Sequence, residues 1–432
     1  MGIQKRRKMR TIFHKVCYTH IMRVVTRRYT LELYPTHKQE KMLRQNLGCV
    51  RFVYNQCIDH ADTAHKEGKL YPGYNGPDGF AALITKLKYN PEYSWLKEAD
   101  STSLQNAAKH ADKAFRNMFD KRAKKPKYKT RREHRQSYES TCNYSAKSDT
   151  YTIRFTDDKH IQLPKIGKVR IRGTVPYFEK LTFATVENTP SNKWKLSVCV
   201  NVDLDKCYDE KQKEKLKRKR EHGDKTTSID LGIKSYATAF DGLVCEHIEN
   251  PKYYERQLEK LRREHRKLCR MRNRESKTMK ACGIHSRNYE KQRRKVARIY
   301  ENITNMRMDT LHKLSRRLVC ENQTLIVETL EVKRMLEEND LSGLNRLIAD
   351  ASWGTFIRML EYKSEETGCT LYKVEKYYPS SQICSNCGYI NRNITLAMRR
   401  ITCPECREIY DRDENAARNL YKRWLNAGTS SA

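Results

Sequence analysis

The chain has 432 residues, and 87 Lys and Arg stand against 52 Asp and Glu, a formal net charge of +35. That length allows about two to four domains, and the charge exceeds what solubility requires. It calls for a polyanionic partner and fits nucleic acid better than a membrane, because no apolar run is long enough to span a bilayer. The start, MGIQKRRKMR, lacks the apolar core of a secretory signal, and Arg6 sits where a myristoylation signal needs Ser or Thr. Of the 15 cysteines, four fall in Cys-x-x-Cys pairs and the others are scattered singly, a pattern that suits a reducing interior.

The first twenty or so residues carry no clear pattern. Arg27 to Leu33 alternates and reads as a strand, ended by Pro35. Thr36 and Gln39 form a capping box. The helix that follows carries Met42, Leu43, Leu47, Val50, Val53, Tyr54 and Cys57 on one face, with Arg44, Arg51 and Asn55 on the other. LYPGYNGPDG breaks regularity, and a second helix begins near Ser103 with the stripe Leu104, Ala108, Ala111, Phe115 and Met118. Residues 121–135, KRAKKPKYKTRREHR, are a basic run of the kind that neutralises phosphates. From Tyr151 to about Leu204 the period is two: TIRF, HIQL, KVRIR, LTFATV and KWKLSVCV predict short strands and a small β-barrel. Residues 207–225 read as a charged linker.

In TTSIDLGIKSYATAF one carboxylate, Asp230, lies inside an apolar strand. A lone buried Asp is costly unless it is bonded or binds a metal, and the adjoining Gly232 permits close approach of a backbone or ligand. Residues 251–318 read as two long helices, with stripes Tyr254, Leu258, Leu261, Leu268 and Val296, Ile299, Ile303, Met306, Leu314, the other faces dense in Arg and Lys. Between them His265, Cys269, Cys282 and His285 form a weak second metal candidate; the intervening arginines and the missing tight turn argue against it. QTLIVETL predicts a strand ended by Glu328. Asp350 is expected to cap a helix running to Leu360, and residues 369–377 to form a strand. Asp413 heads a last helix whose inner face holds Ala416, Ala417, Leu420 and Trp424.

Before that helix, Cys384/Cys387 and Cys403/Cys406 are separated by fifteen residues, a zinc-ribbon spacing in which four thiolates close a tetrahedral shell. A closed shell leaves no place for substrate, so this zinc is expected to be structural, folding a small insert beside Asp411-Arg412-Asp413. If Asp230, Glu328 and Asp413 converge, they tolerate each other only around cations, and two Mg²⁺ ions there would suit phosphodiester hydrolysis. Each acid alone also fits the plainer role of cap or ion-pair partner.

IDLGI, IVETL and DRDENAARNL resemble the three motifs of a RuvC-type, RNase H-like nuclease. More specifically, the chain resembles TnpB, the transposon-associated RNA-guided DNA endonuclease family. YTLELYPTHKQE, GCVRFVYN, PKYKTRREHRQSY, LPKIGKVRIRG, SRNYEKQRRKVA, NMRMDTLHKLS, DASWGTF and YPSSQICSNCG each resemble family signatures in family order, from about Arg28 to Leu420. The resemblance implies an α+β multidomain chain: a basic extension (1–27), a β-barrel wedge domain (28–35 and 136–206), a helical recognition lobe (36–135) and a linker (207–225). An RNase H-like RuvC nuclease domain would follow (226–379, with the helical hairpin 251–318, and 411–432), carrying an inserted zinc ribbon (380–410). It implies catalytic Asp230, Glu328 and Asp413 holding two Mg²⁺, one structural Zn²⁺ at Cys384, Cys387, Cys403 and Cys406, a guide RNA and a target double-stranded DNA. Asp411 would then be a neighbour, not a ligand. Arg51, Tyr54, Asn55, Lys127 and Lys129 are candidate nucleic-acid contacts. One departure is visible: the second knuckle reads CPECR, with Arg407 where the family usually has Gly.

A compact type V CRISPR effector or a eukaryotic Fanzor nuclease would share the chemistry with a different guide source. A non-cleaving zinc-ribbon DNA-binding regulator would bind without Mg²⁺ and yield no product. A transposase proper is disfavoured by the resemblance. The expected compartment is the cytoplasm, with the nucleoid, in a prokaryote or the nucleus in a eukaryotic relative, and no feature fixes the oligomeric state.

Overall fold

A computed structural model describes residues 24–131, 136–146, 149–203, 214, 225–276, 278–279, 285–337, 342–395 and 398–429. The start of the chain, most of the expected linker and Cys282 lie outside the described residues.

Strand β1 (Val24–Tyr34) leads into helix α1 (His37–Lys66), and the capping box forms, with Thr36 accepting from the Gln39 amide and the Gln39 side chain accepting from the Thr36 amide. Helix α2 (Phe80–Tyr89) and a 3₁₀ turn (Pro91–Glu98) follow, neither expected from the sequence, and then α3 (Ser101–Phe119). Strands β2 (Gln136–Thr141), β3 (Tyr144–Ser145), β4 (Thr150–Tyr151), β5 (Arg154–Asp157), β6 (His160–Leu163), β7 (Gly167–Arg172), β8 (Lys180–Asn188) and β9 (Trp194–Asp203) come next. Seven of these strands form one antiparallel sheet in the order β2-β8-β9-β1-β7-β6-β5. Its ladder runs from edge to edge, so the expected barrel is realised as an open, curled sheet. One apolar core joins this sheet to α1, α2 and α3, from Leu31 and Leu43 through Phe80 and Leu104 to Leu196 and Val202.

Asp100 anchors that junction. It is buried and caps α3 by accepting from the Thr102 and Ser103 amides at 3.2 and 3.1 Å. It also accepts from the Ser140 hydroxyl of β2 at 2.6 Å, while its own amide donates to Asn46 of α1 at 3.0 Å.

The second sheet contains β10 (Thr226–Leu231), β11 (Ser235–Phe240), β12 (Cys245–Glu249), β13 (Thr324–Val327) and β14 (Thr370–Lys373), in the order β12-β11-β10-β13-β14. The first three strands pair antiparallel, and β13 and β14 run parallel to β10. This order is consistent with an RNase H-like architecture. Between β12 and β13 rise the two long helices, α4 (Tyr253–Arg274) and α5 (Arg287–Glu321), closed on each other by Leu261, Val296, Ile299 and Ile303. Met306 is exposed; Leu311, Leu314 and Leu318 carry the α5 stripe down onto the sheet.

After β13 come α6 (Val332–Glu337), α7 (Ser342–Ala351) and α8 (Trp353–Thr367). Asp350 does not cap α8. It lies in the last turn of α7, and the chain breaks at Ser352, whose φ is +53°. Its carboxylate accepts from the Tyr254 amide at 3.2 Å and pairs with Arg307, so it fastens α4 to α5. The two faces of the sheet follow strand parity. Ile229, Leu231, Leu325 and Val327 pack towards α5 and α8; Ile326 packs towards α9 (Arg412–Thr429), which lays Leu420 and Trp424 on the opposite face.

Replacing Asp100 with Ala removes a cap and leaves Ser140 without its carboxylate partner. The expected cost is about 2 kcal/mol, read as a lower urea midpoint with an unchanged slope.

Candidate active site and metal-binding cluster

Parity decides where the acids point. On β10, Ser228 faces α9 and donates its hydroxyl to the Ala417 carbonyl at 2.6 Å; Asp230, two residues on, faces the same way. On β13, Ile326 faces α9, and so does Glu328 just past the strand end. The two strands run parallel with Ser228 opposite Ile326 and Ile229 opposite Val327, so the next step sets Asp230 beside Glu328. The close approach that Gly232 permits comes from its own hairpin: a Cβ there would lie 2.8 Å from the Ser235 carbonyl oxygen.

The electrostatics link Asp230 to the other two acids. Burial drives the Asp230 carboxyl well above its ordinary range, and the charges of Glu328 and Asp413 push it further the same way. Burial lifts Glu328 to about 7, against a bond from the Leu231 backbone that favours its ionised form. Asp413 is buried at the head of α9. Arg399 grips both its oxygens at 3.1 and 3.0 Å, and Arg412 approaches at 3.3 Å. Asp411 is engaged elsewhere: one of its oxygens accepts from the Asp413 and Glu414 amides at 2.9 and 3.3 Å and caps α9. Among the described residues, the group of three or more ligand-type side chains drawn within 4.8 Å of one another is the cysteine set, so the acids share a field without that degree of closeness.

In the cysteine cluster, the Cys384 and Cys406 sulfurs are 3.7 Å apart and those of Cys387 and Cys403 3.6 Å. A tetrahedron with metal–sulfur bonds of about 2.3 Å has edges of about 3.8 Å, so the four sulfurs can hold a structural Zn²⁺. The two knuckles share one turn. Cys384 receives an amide bond from Gly388 and gives one to Tyr389; Cys403 receives one from Arg407 and gives one to Glu408. The turn demands a left-handed residue, and Gly388 supplies it at φ +81°. Arg407 occupies the matching place at φ +62°, so the departure noted in the sequence is a strained residue. The Glu408 amide pulls the Cys406 thiol down to about 7, favouring the thiolate a metal requires. Of the second metal candidate, Cys269 and His265 lie 3.7 Å apart, His285 is bonded to Glu275 at 2.8 Å, and Cys282 lies outside the described residues.

Two asparagines missed in the sequence tie the knuckle to the acids. Asn415 accepts from the Ser385 amide and donates to the Ile383 carbonyl, each at 2.7 Å; Asn419, one turn on, donates to the carbonyls of Ser380 and Ile383 at 2.8 and 2.6 Å. Both are buried. Their spacing of four was visible, but their partners were not.

The proposed nucleic-acid contacts form a different cluster. Asn55 trades two bonds with the Lys129 backbone, at 3.0 and 2.9 Å, and the Lys129 ammonium lies 4.1 Å from the centre of the Tyr54 ring. Tyr54 is buried, and Arg51 reaches Gln136 at 3.5 Å. Tyr54 and Asn55 therefore clamp the basic segment to α1, while Lys127 stays exposed. A larger cationic surface lies on α4, where Arg262, Arg263, Arg266 and Arg270 line an open cleft of about 1160 Å³.

Comparison with known proteins follows this geometry. A model described as "Probable transposase" matches residues 197–339, which carry Asp230 and Glu328, and a "Cas12f1-like, TNB domain" model matches 353–420, which carry the cysteines and Asp413. A putative RNA-guided DNA endonuclease of Streptomyces pristinaespiralis is 34% identical over 413 residues, 94% of this chain and 91% of that protein. The chain belongs to the TnpB family. InsQ of Escherichia coli K12, a putative RNA-guided DNA endonuclease, is 26% identical over 91% of this chain and 90% of its own length. A Cas12f1 solved with sgRNA and target DNA shares the fold, with a TM-score of 0.53 at 11% identity over 92% of this chain and 98% of that one. A third model, described as a helix-turn-helix domain, matches residues 22–69. In this TnpB protein the described part of that stretch is β1 followed by the single unbroken helix α1.

Two outcomes test the site. Replacing Arg407 with Gly should stabilise the zinc-loaded protein by about 1 kcal/mol, measured by thermal melting. Glu328, with its pKa raised on folding, binds more protons folded than unfolded between pH 4.5 and about 7. Its contribution is therefore complete below pH 4.5 and lost as pH rises through 7, so without divalent cations stability should fall by on the order of 2 kcal/mol across that window. Glu328→Gln should flatten that fall.

Proposed function

We propose that this TnpB-family protein is an RNA-guided DNA endonuclease, cutting target DNA by metal-assisted hydrolysis next to a short transposon-adjacent motif. The observation that carries the reading is the parallel register that sets Asp230 beside Glu328, facing Asp413 at the start of α9. The putative endonucleases of Streptomyces and Escherichia coli, similar along nearly their whole length, support the same activity.

Asp230, Glu328 and Asp413 are the proposed ligands of two Mg²⁺ ions. The donor set fits: Asp230, disfavoured as an anion by burial and by the charges of Glu328 and Asp413, gains from a cation between them. Bound Mg²⁺ would supply activation of a water and neutralisation of the leaving 3′ oxygen. The chain's own residues do the rest. Asp230 is held by strand pairing with Thr238, Glu328 follows directly on the paired Val327, the Asp411 cap fixes the first turn of α9, and Arg399 and Arg412 hold the Asp413 charge in place. Cys384, Cys387, Cys403 and Cys406 are the proposed Zn²⁺ ligands, and the ion's role is to set the insert on α9 through Asn415 and Asn419.

The net charge of +35 suits a guide RNA and a DNA duplex together, where base pairing reads sequence and the protein grips backbones. The α4 cleft, Arg51, Lys127 and Lys129 are proposed backbone contacts. In this reading residues 28–35 and 136–206 are the wedge domain, 36–135 the recognition lobe, 226–379 and 411–432 the RuvC nuclease and 380–410 its insert. The protein would act where its host keeps its DNA.

Purification with co-expressed RNA, followed by sequencing of the bound RNA, tests the guide; random cellular RNA would favour a non-cleaving regulator. Asp230→Ala should lower cutting of a matched target by at least about 10³-fold and leave RNA binding unchanged. Cutting that persists in this variant sinks the site.

A further inference from the structure

Glu328 and Tyr377 both line a groove of about 350 Å³, together with Glu331, Arg334, Glu375 and Lys376. Three features of Tyr377 stand apart from the mechanism already described. The residue is 70% exposed. Its φ is +67°, a left-handed conformation that is a genuine outlier for a bulky side chain. Two cations also lie close to its ring, the Lys376 ammonium 5.1 Å and the Arg334 guanidinium carbon 5.8 Å from its centre.

The surroundings hold the ring in that position. The Tyr377 hydroxyl donates to Glu331 at 2.9 Å and accepts from Arg334 at 2.8 Å, and Lys376 pairs with the other Glu331 oxygen at 2.6 Å. A strained backbone, three side chains and a fixed hydroxyl thus keep an apolar ring turned to solvent beside a carboxylate of the proposed centre. Strain of this kind persists where a site needs the geometry. The plainer account, a surface tyrosine ordered by its neighbours, explains the hydrogen bonds but not an exposed ring at positive φ.

We propose that Tyr377 is a stacking platform for a base of the single DNA strand being cut. An exposed aromatic face gives every base an equal seat, and adjoining cations hold the phosphates on either side, which is how single strands are gripped without sequence preference. The groove supplies both elements and is lined by Glu328 as well, so a base on Tyr377 would fix the strand relative to the acids. Tyr377 is a binding and positioning residue here, since it takes no part in proton or phosphoryl transfer. The inference rests on the nuclease reading for the identity of the strand, and its test separates the two.

The full chain with its co-purified RNA is mixed, without added divalent cation, with a short single-stranded DNA carrying 2-aminopurine at each position in turn. The probe should be quenched on binding. Tyr377→Phe keeps the ring and loses the hydroxyl bonds; it should quench like the native protein. Tyr377→Gly removes the ring and relieves the backbone; it should lose the quench and weaken binding by about 5- to 100-fold without lowering the melting temperature. In Mg²⁺ the Gly variant should raise KM by a similar factor and change kcat little. The platform is overturned if no position is quenched by the native protein, if the Gly variant binds and cuts as the native protein does, or if Phe fails alongside Gly, the mark of a role confined to the hydroxyl. Quenching without cutting by the native protein would keep the platform and remove the nuclease.

Discussion

Three carboxylates in a desolvated space repel one another, and nothing in their own chemistry brings them together. Each must be forced into place by structure that gains its stability elsewhere. Asp230 and Glu328 are set side by side by the β10–β13 ladder, which is stabilised by its hydrogen bonds and by Ile229, Val327 and Leu325 packing under α5 and α8. Asp413 is carried at the head of α9, which is held by Leu420 and Trp424 on the opposite face of the same sheet. Two independent apolar contacts, one on each face, thus oppose the repulsion between the acids.

The cysteine insert belongs to the same constraint. Its sulfurs are far too closed a set for chemistry on a substrate, yet its first knuckle is bonded to Asn415 and Asn419, two and six residues beyond Asp413. A buried amide that loses its partner costs about 1–3 kcal/mol, and here two side chains make four bonds. Distortion of the knuckle would therefore be felt at the start of α9, where Asp413 and the Asp411 cap sit. A structural ion can act on a nuclease centre by this route without touching a nucleic acid.

What could be read from the chain was whatever is periodic or local. The apolar runs in SIDLG and TLIVE placed Asp230 on a strand and Glu328 at the end of another, the Thr36 box opened α1, and the four cysteines declared their own partners by spacing. The Asp350 cap failed because capping signals describe only the next turn: Asp350 was already inside α7, and its partners, Tyr254 and Arg307, lie far away in sequence. The β-barrel came out as an open sheet because period-two runs predict strands, while closure depends on how β2 and β5 end the ladder. Tyr54 and Asn55 looked like surface contacts because their shared partner, Lys129, lies more than seventy residues away, meeting Asn55 through its backbone and Tyr54 through its ammonium. Arg399 escaped notice for the same reason, as one arginine among many in a chain of net charge +35.

Arg399 also bears on how the centre can accept a cation. The guanidinium grips both Asp413 oxygens, but it is 36% exposed, and a partly solvated ion pair is worth roughly 1 kcal/mol. On the proposed reading a divalent ion would meet Asp230 and Glu328 as well, both disfavoured as anions by burial, Asp230 also by the charges of Glu328 and Asp413. Relief of that penalty works against the pull of one open ion pair. Arg399 can therefore keep the third acid ordered while no metal is bound and still give way or share it. Its place on the insert, four residues before Cys403, lets the cysteine cluster set where that arginine stands.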